Sequence, residues 1–221
     1  MERIPEPELM DDDAQARAYA EADFAEPHNR FVTLLAERLA DLPPAGVALD
    51  LGCGAADITM RFARAFPLWR VDGLEASHAM LRYGHAAVLR AGLAERVSLT
   101  HGYLPDATAP QERYDLVFSN SLLHHLRDPQ TLWRCVQRWA GRSGPVFVMD
   151  LMRPATRAAA DRLAESYAAG EPDVLRRDFL NSLLAAYEVD EVRVQLAAAR
   201  LTQLHVAVAS DRHLIVWGHC P

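Results

Sequence analysis

The 221-residue chain has no lysine, so all 23 of its cationic side chains are arginines. This absence excludes the Tyr–Lys pair of a nicotinamide-dependent reductase. It otherwise reads as compositional bias toward Ala and Arg. Cysteine is also scarce: Cys53, Cys135 and Cys220 are odd in number and show no paired spacing. A disulfide framework or a zinc site is therefore not expected. No stretch approaches the roughly 18 apolar residues of a membrane span. The opening MERIPEPELMDDD is acidic and has no apolar run, so it does not read as a signal peptide. A reducing cytoplasm is the expected location. Basic excess is missing too, since 30 acids against 23 arginines give a net charge of -7. Proteins that clamp nucleic acid usually present a basic face. The expected partner is a small molecule, with neither nucleic acid nor membrane.

What is present suits a globular protein. Half the residues are hydrophobic and 24% are charged, enough for one domain with a real core. Residues 1–42 read as an N-terminal arm and cap, and 43–221 as the main domain. Met1 to Asp13 reads as an extended polar arm. Phe31, Leu34, Leu35 and Leu39 share one face of a helix expected over Asn29–Leu42, ended by Pro43 and Pro44. Short apolar runs then alternate with amphipathic helices. Strands are expected at Val47–Gly52, Trp69–Glu75, Val97–His101, Tyr114–Ser119 and Gly144–Asp150. The helix after the first strand presents Ile58, Phe62, Ala65 and Phe66. Ser77 caps the next helix, which stops at Gly92. Asp128-Pro129 starts another, with Asp at the N-cap and Pro in the first turn. Strand–helix alternation of this kind builds a parallel sheet covered on both faces. Beyond Asp150 the pattern turns mostly helical. Leu204–Val208 and Leu214–Trp217 then pair as an antiparallel hairpin across SDR.

The chemistry begins at LDLGCGAAD, Leu49 to Asp57. Glycines after a first strand let backbone approach a ligand closely. A dinucleotide site calls for a third glycine at position 57, where the helix meets a pyrophosphate. Asp57 stands there instead. An acid at a helix N-terminus disfavours phosphate and suits an ammonium or a sulfonium-bearing amino acid. Asp50 precedes the glycines, where it can order the loop. Glu75 ends the second strand, where a carboxylate accepts hydrogen bonds from both hydroxyls of a ribose.

With Asp50, Gly52, Gly54, Glu75 and the run YDLVFSNSLLHHLRDP, the chain resembles the class I S-adenosylmethionine-dependent methyltransferases, in particular their small-molecule group. The resemblance covers roughly Val47 to Asp150, and HLIVWG looks like the reversed last strand of that fold. It implies a Rossmann-like, mostly parallel seven-stranded α/β sheet with an antiparallel last strand, helices on both faces and an N-terminal helical cap. It implies S-adenosylmethionine as cofactor and S-adenosylhomocysteine as product. Asn120 and Ser121 would lie beside the methionine part, and Ala76 and Met80 would line the adenine pocket. Two departures stand out. The third glycine of the family loop is Ala56. The Asp that often holds the adenine amino group is replaced by Tyr103, with Leu104 next, leaving stacking on Tyr103, the Leu104 amide or an inward swing of Asp106.

The acceptor side is less marked. By resemblance, His125 is a common packing histidine, and His124 stands where some relatives carry an acid. His124 is therefore expected to face the acceptor as a general base. Adjacent residues are poor ligand spacing, so no metal is expected on this pair. Arg153 lies at the carboxyl edge of the sheet and is expected to hold an acceptor carboxylate. Tyr19, Phe24, His28 and Asn29 belong to a segment expected to close over the cofactor, with Tyr19 touching it. The expected reaction is in-line methyl transfer to a small-molecule acceptor. The rivals are an RNA or protein methyltransferase and a non-catalytic S-adenosylmethionine-binding protein. Acceptor identity and oligomeric state are not encoded in any motif.

Overall fold

A computed structural model describes residues 1–7 and 9–221. Its centre is a seven-stranded sheet of β1 (Gly46–Leu51), β2 (Trp69–Glu75), β3 (Val97–His101), β4 (Leu116–Asn120), β5 (Pro145–Leu151), β6 (His205–Val208) and β7 (His213–His219). The spatial order is β3-β2-β1-β4-β5-β7-β6. β1 to β5 pair in parallel, while β7 runs antiparallel to both β5 and β6. Six strands thus run one way and the chain's last strand runs against them, as expected. The order reverses at β1 and β4, and open α/β sheets bind ligands outside the carboxyl ends at such a switch point.

Eight helices surround the sheet among the described residues: α1 (Asp13–Glu21), α2 (Ala25–Arg38), α3 (Asp57–Ala65), α4 (His78–Arg90), α5 (Gln130–Ala140), α6 (Arg157–Ala168), α7 (Asp173–Ala185) and α8 (Val189–Ala198). Phe31, Phe62, Phe118 and Phe147 centre the core that joins α2, α3 and α4 to one face. Leu132, Trp133, Val136 and Trp139 of α5 join Val192 and Leu196 of α8 in the core on the other. No described helix is long and apolar enough to cross a membrane. All three cysteines are free and buried.

The structure shifts several expected boundaries. α2 starts four residues early at Ala25 and ends at Arg38 rather than Leu42. Pro27 falls in its first turn, where a missing N–H costs nothing. Leu39 leaves helical geometry well before Pro43. On α3, Ala63 is buried and Ala65 is exposed, because the helix turns Ala63 toward the sheet. Asp128 does not begin α5 itself, but its Oδ1 accepts from Gln130 N at 3.0 Å and so still caps the helix. The arm, expected as extended through Asp13, gives way there to α1. Asp12 caps α1 by accepting from Gln15 N.

Candidate active site

A cavity of about 410 Å³ opens at the carboxyl ends of β1, β2, β4 and β5. All twelve residues expected to hold a cofactor line it: Tyr19, Asp50, Gly52, Gly54, Asp57, Glu75, Ala76, Met80, Tyr103, Leu104, Asn120 and Ser121. Asp106 is exposed and lies outside the lining. Tyr103 is 52% exposed at the rim.

The turn after β1 is built by positive φ at Gly52 (+73°), Gly54 (+53°) and Ala56 (+67°). A side chain at Gly52 would meet Leu122 at 2.9 Å, so closeness as well as φ demands glycine there. At Gly54 a Cβ would meet no protein atom within 4 Å. There the bare backbone faces the open cleft. Gly54 N donates to Glu75 Oε2 at 2.9 Å, and Ser77 N donates to Glu75 Oε1 at 2.7 Å. One carboxylate therefore fixes the glycine turn and the start of α4 together. Burial raises the Glu75 pKa against the opposing pull of these amides. A carboxylate has about four acceptor sites, so the backbone amides of Gly54, Ser77 and Ala76 leave capacity for a hydroxyl donor.

Asp50 is 1% exposed and accepts from Thr59 Oγ1 of α3 at 2.6 Å. Burial pushes its pKa up to about 7 from an ordinary 3.8, with Thr59 opposing and Glu75 adding to the rise. The ligand-free folded state thus keeps a proton that the unfolded chain releases. Stability should fall as pH rises from about 4 toward 7 and level off above, because the unfolded state then binds fewer protons. Asp50→Asn keeps an acceptor for Thr59 and removes the titration. Its melting temperature, measured without ligand, should vary less over that interval; an unchanged slope would reject this assignment.

Asp57 sits at the first turn of α3. Burial alone would raise its pKa, but hydrogen bonds from His28 (Nδ1, 2.6 Å) and Arg61 (Nε, 2.8 Å) hold it below the usual range. It remains a half-buried anion in the cleft. α1 and the start of α2 form the roof. Ala16 packs with Ala55, Ala79 and Met80, and Tyr19 packs against this group. Tyr19, Phe24 and His28 pack in series as tilted rings, at 4.8 and 5.2 Å between centroids. Burial, with Asp57, Glu75 and Asp50 nearby, pushes the Tyr19 hydroxyl up to about 12. The roof is fastened at both sides: Asp11 Oδ1 accepts from Ser77 Oγ and Ala79 N, and Gln15 Nε2 donates to Asp178 of α7. Asn29 lies outside the cavity lining and accepts from Arg61, steadying the side chain that holds Asp57.

Comparison with known proteins agrees with this geometry. Residues 48–144 match the family model of a methyltransferase domain. A trans-aconitate 2-methyltransferase of Methylobacterium radiotolerans is 34% identical over 62% of this chain and 50% of its own length. A demethylmenaquinone methyltransferase of Bacillus cytotoxicus is 31% identical over 53% of this chain and 49% of its own. The chain thus spans about half the length of these relatives. Among solved structures, the plantazolicin methyltransferase BpumL, complexed with a triazolic desmethylPZN analog and SAH, superposes with a TM-score of 0.70. That match covers 94% of this chain and 91% of BpumL at 11% identity, and carries the fold alone. Residues 48–144 thus match a methyltransferase-domain model over a little under half of the chain, and the fold around them is shared with solved methyltransferase structures.

Beyond the residues expected to hold a cofactor, the cavity continues under α6 and α7, where Tyr167, Ala168, Leu175, Phe179 and Ser182 line it. Leu123–His125 form a 3-10 turn after β4, and both histidines line the cavity. Their roles differ from the sequence expectation. His124 is the packed one, 2% exposed, with Nδ1 at 2.5 Å from Asp150 Oδ1. A carboxylate only accepts, so Nδ1–H is the donor. Asp150 Oδ2 also accepts from Leu123 N at 2.7 Å. Burial alone would lower the His124 pKa, but Asp150 and Glu6 raise it overall. His125 keeps a buried Nδ1 with no hydrogen-bond partner. Burial and the adjacent His124 push its pKa down to about 3, which makes it a poor general base.

Arg153 does not line this cavity. It is buried beside α8, with a bidentate pair to Glu191 (2.9 and 3.0 Å), a contact to Glu188, and bonds to the Met1 and Ala186 carbonyls. With its donors already engaged, it anchors the arm and offers no acceptor contact. Glu6 is the residue that sequence reasoning missed. The arm lies across the histidine turn: Arg3 donates to the carbonyls of His124, Leu126 and Ala185, and Ile4 N donates to Leu184 O. This brings Glu6 Oε1 to 3.5 Å from His124 Nε2 and 3.3 Å from His125 Nδ1. No spacing in the sequence marks that meeting.

Proposed function

We propose that this protein transfers the methyl group of S-adenosylmethionine to a small-molecule acceptor. The observation that carries the reading is Glu75. Its carboxylate binds the glycine turn and the α4 N-terminus in one geometry, at the base of a roofed cavity, with acceptor capacity left for a ribose. Asp57, held ionised by His28 and Arg61, adds negative charge where the sulfonium-bearing amino acid of the cofactor would sit. The names of the relatives, acting on trans-aconitate and demethylmenaquinone, support a small acceptor. The extension of the cavity under α6 and α7 supplies a chamber for it, walled by Leu175 and Phe179 and floored by the histidine turn. Catalysis is mainly placement: the acceptor atom is held in line with the methyl–sulfur bond while the roof excludes water.

Calorimetry should detect S-adenosylhomocysteine binding in the micromolar range, about -8 kcal/mol. A panel of carboxylic acid, phenol and quinol acceptors, read by mass spectrometry for a gain of one methyl group, tests the transfer itself. Tight NADH binding without any response to S-adenosylhomocysteine would refute the cofactor. Specific retention of an RNA at physiological salt would redirect the acceptor assignment.

A further inference from the structure

Three donor atoms converge where the arm crosses the histidine turn. Glu6, His124 and His125 each offer one, all within 4.8 Å of one another. We propose that Glu6 Oε1, His124 Nε2 and His125 Nδ1 form a site for a divalent first-row metal ion of the zinc type, beside the acceptor chamber.

The distances favour a metal over a hydrogen-bonded cluster. Glu6 Oε1 lies 3.5 Å from His124 Nε2 and 3.3 Å from His125 Nδ1. Good N–H···O bonds centre near 2.9–3.0 Å. Zinc bonds of about 2.0–2.1 Å in a tetrahedron put neighbouring donors about 3.3 Å apart. His125 Nδ1 is buried with no hydrogen-bond partner, which is costly unless something else takes its lone pair.

The surroundings orient each donor. Asp150 takes His124 Nδ1, so Nε2 is the nitrogen that faces Glu6. Ser182 Oγ donates to the Glu6 carboxylate at 3.0 Å. The Pro7 carbonyl accepts from the His125 ring, and because Nδ1 has no hydrogen-bond partner the donor is Nε2. Outer partners of this kind, a carboxylate behind a ligating histidine above all, accompany metal-binding imidazoles. Two imidazoles and a carboxylate suit zinc and its neighbours in the first row better than magnesium or calcium. Three protein ligands leave a fourth position, which in catalytic zinc sites holds water or substrate. Both histidines line the cavity, so that position belongs to the chamber where an acceptor heteroatom would enter.

Metal binding is independent of the methyl-transfer reading and is tested without turnover. Chelator-treated full-length protein is titrated with Zn²⁺ by calorimetry and with Co²⁺ by visible absorption. One equivalent of Zn²⁺ should bind, Co²⁺ should develop the d–d bands of a low-symmetry site, and Zn²⁺ should raise the melting temperature. His125→Ala and Glu6→Gln should each weaken Zn²⁺ binding by more than about tenfold, since removing a ligand costs at least as much as disturbing an outer partner. Circular dichroism confirms that each variant is folded. Absence of a Co²⁺ band and of a Zn²⁺-dependent melting shift in the wild-type protein overturns the site. So does undiminished binding in both variants. S-adenosylhomocysteine binding, measured on the same chelated sample, reports on the cofactor reading separately.

Discussion

Replacing Glu75 with alanine should lower affinity for S-adenosylhomocysteine by about tenfold or more, because hydrogen bonds to a charged group contribute roughly 1.5–3 kcal/mol each. The loss has two sources. Both carboxylate oxygens now hold backbone amides, Gly54 N and Ser77 N, so the substitution also frees the turn and the α4 start that shape the pocket. Glu75→Gln separates the two. It keeps the volume and one acceptor oxygen but turns an NH2 donor toward one of those amides. It should therefore also weaken binding, even where the fold holds. Calorimetry read beside a thermal melt of the free protein tests this. Wild-type affinity in Glu75→Ala would remove Glu75 from the site.

The half of the site built on β1, β2 and β4 was legible because each residue is tied to a local feature. β2 and β3 match the expected strands residue for residue, their apolar runs being bounded by charged or turn residues. A glycine turn must follow β1, and an acid ending β2 must stand beside it in a parallel sheet. Cleft residues within a few positions of a strand end therefore follow from strand placement alone. The acceptor half was not legible in this way. Glu6 meets His124 across more than a hundred residues, through an arm with no periodicity. Arg153 was misread because Glu188 and Glu191, the partners that bury it, come from a helix 35 and 38 residues further on. The two histidines are neighbours in one short turn, and only the position of Asp150 on β5 decides which ring turns inward.

That decision gives the second large effect. His124→Ala should destabilise the metal-free protein strongly, because it leaves the Asp150 carboxylate buried without its imidazole partner. Removing one member of a buried pair costs about 3–5 kcal/mol. In a chain of this length that lowers the melting temperature on the order of 10 °C. Leu123 N still donates to Asp150, which keeps the loss from being larger. His125→Ala should cost much less, since its ring is 14% exposed and its Nδ1 has no hydrogen-bond partner to lose. Melting curves of both variants after chelator treatment make the comparison. The ordering tests the assignment directly, because sequence reasoning alone places His124 toward the acceptor and His125 in the packing. A His124→Ala protein that melts like wild type yet has lost methyl transfer would restore the general-base role. A His125→Ala protein that unfolds first would show that the Asp150 contact does not hold the turn.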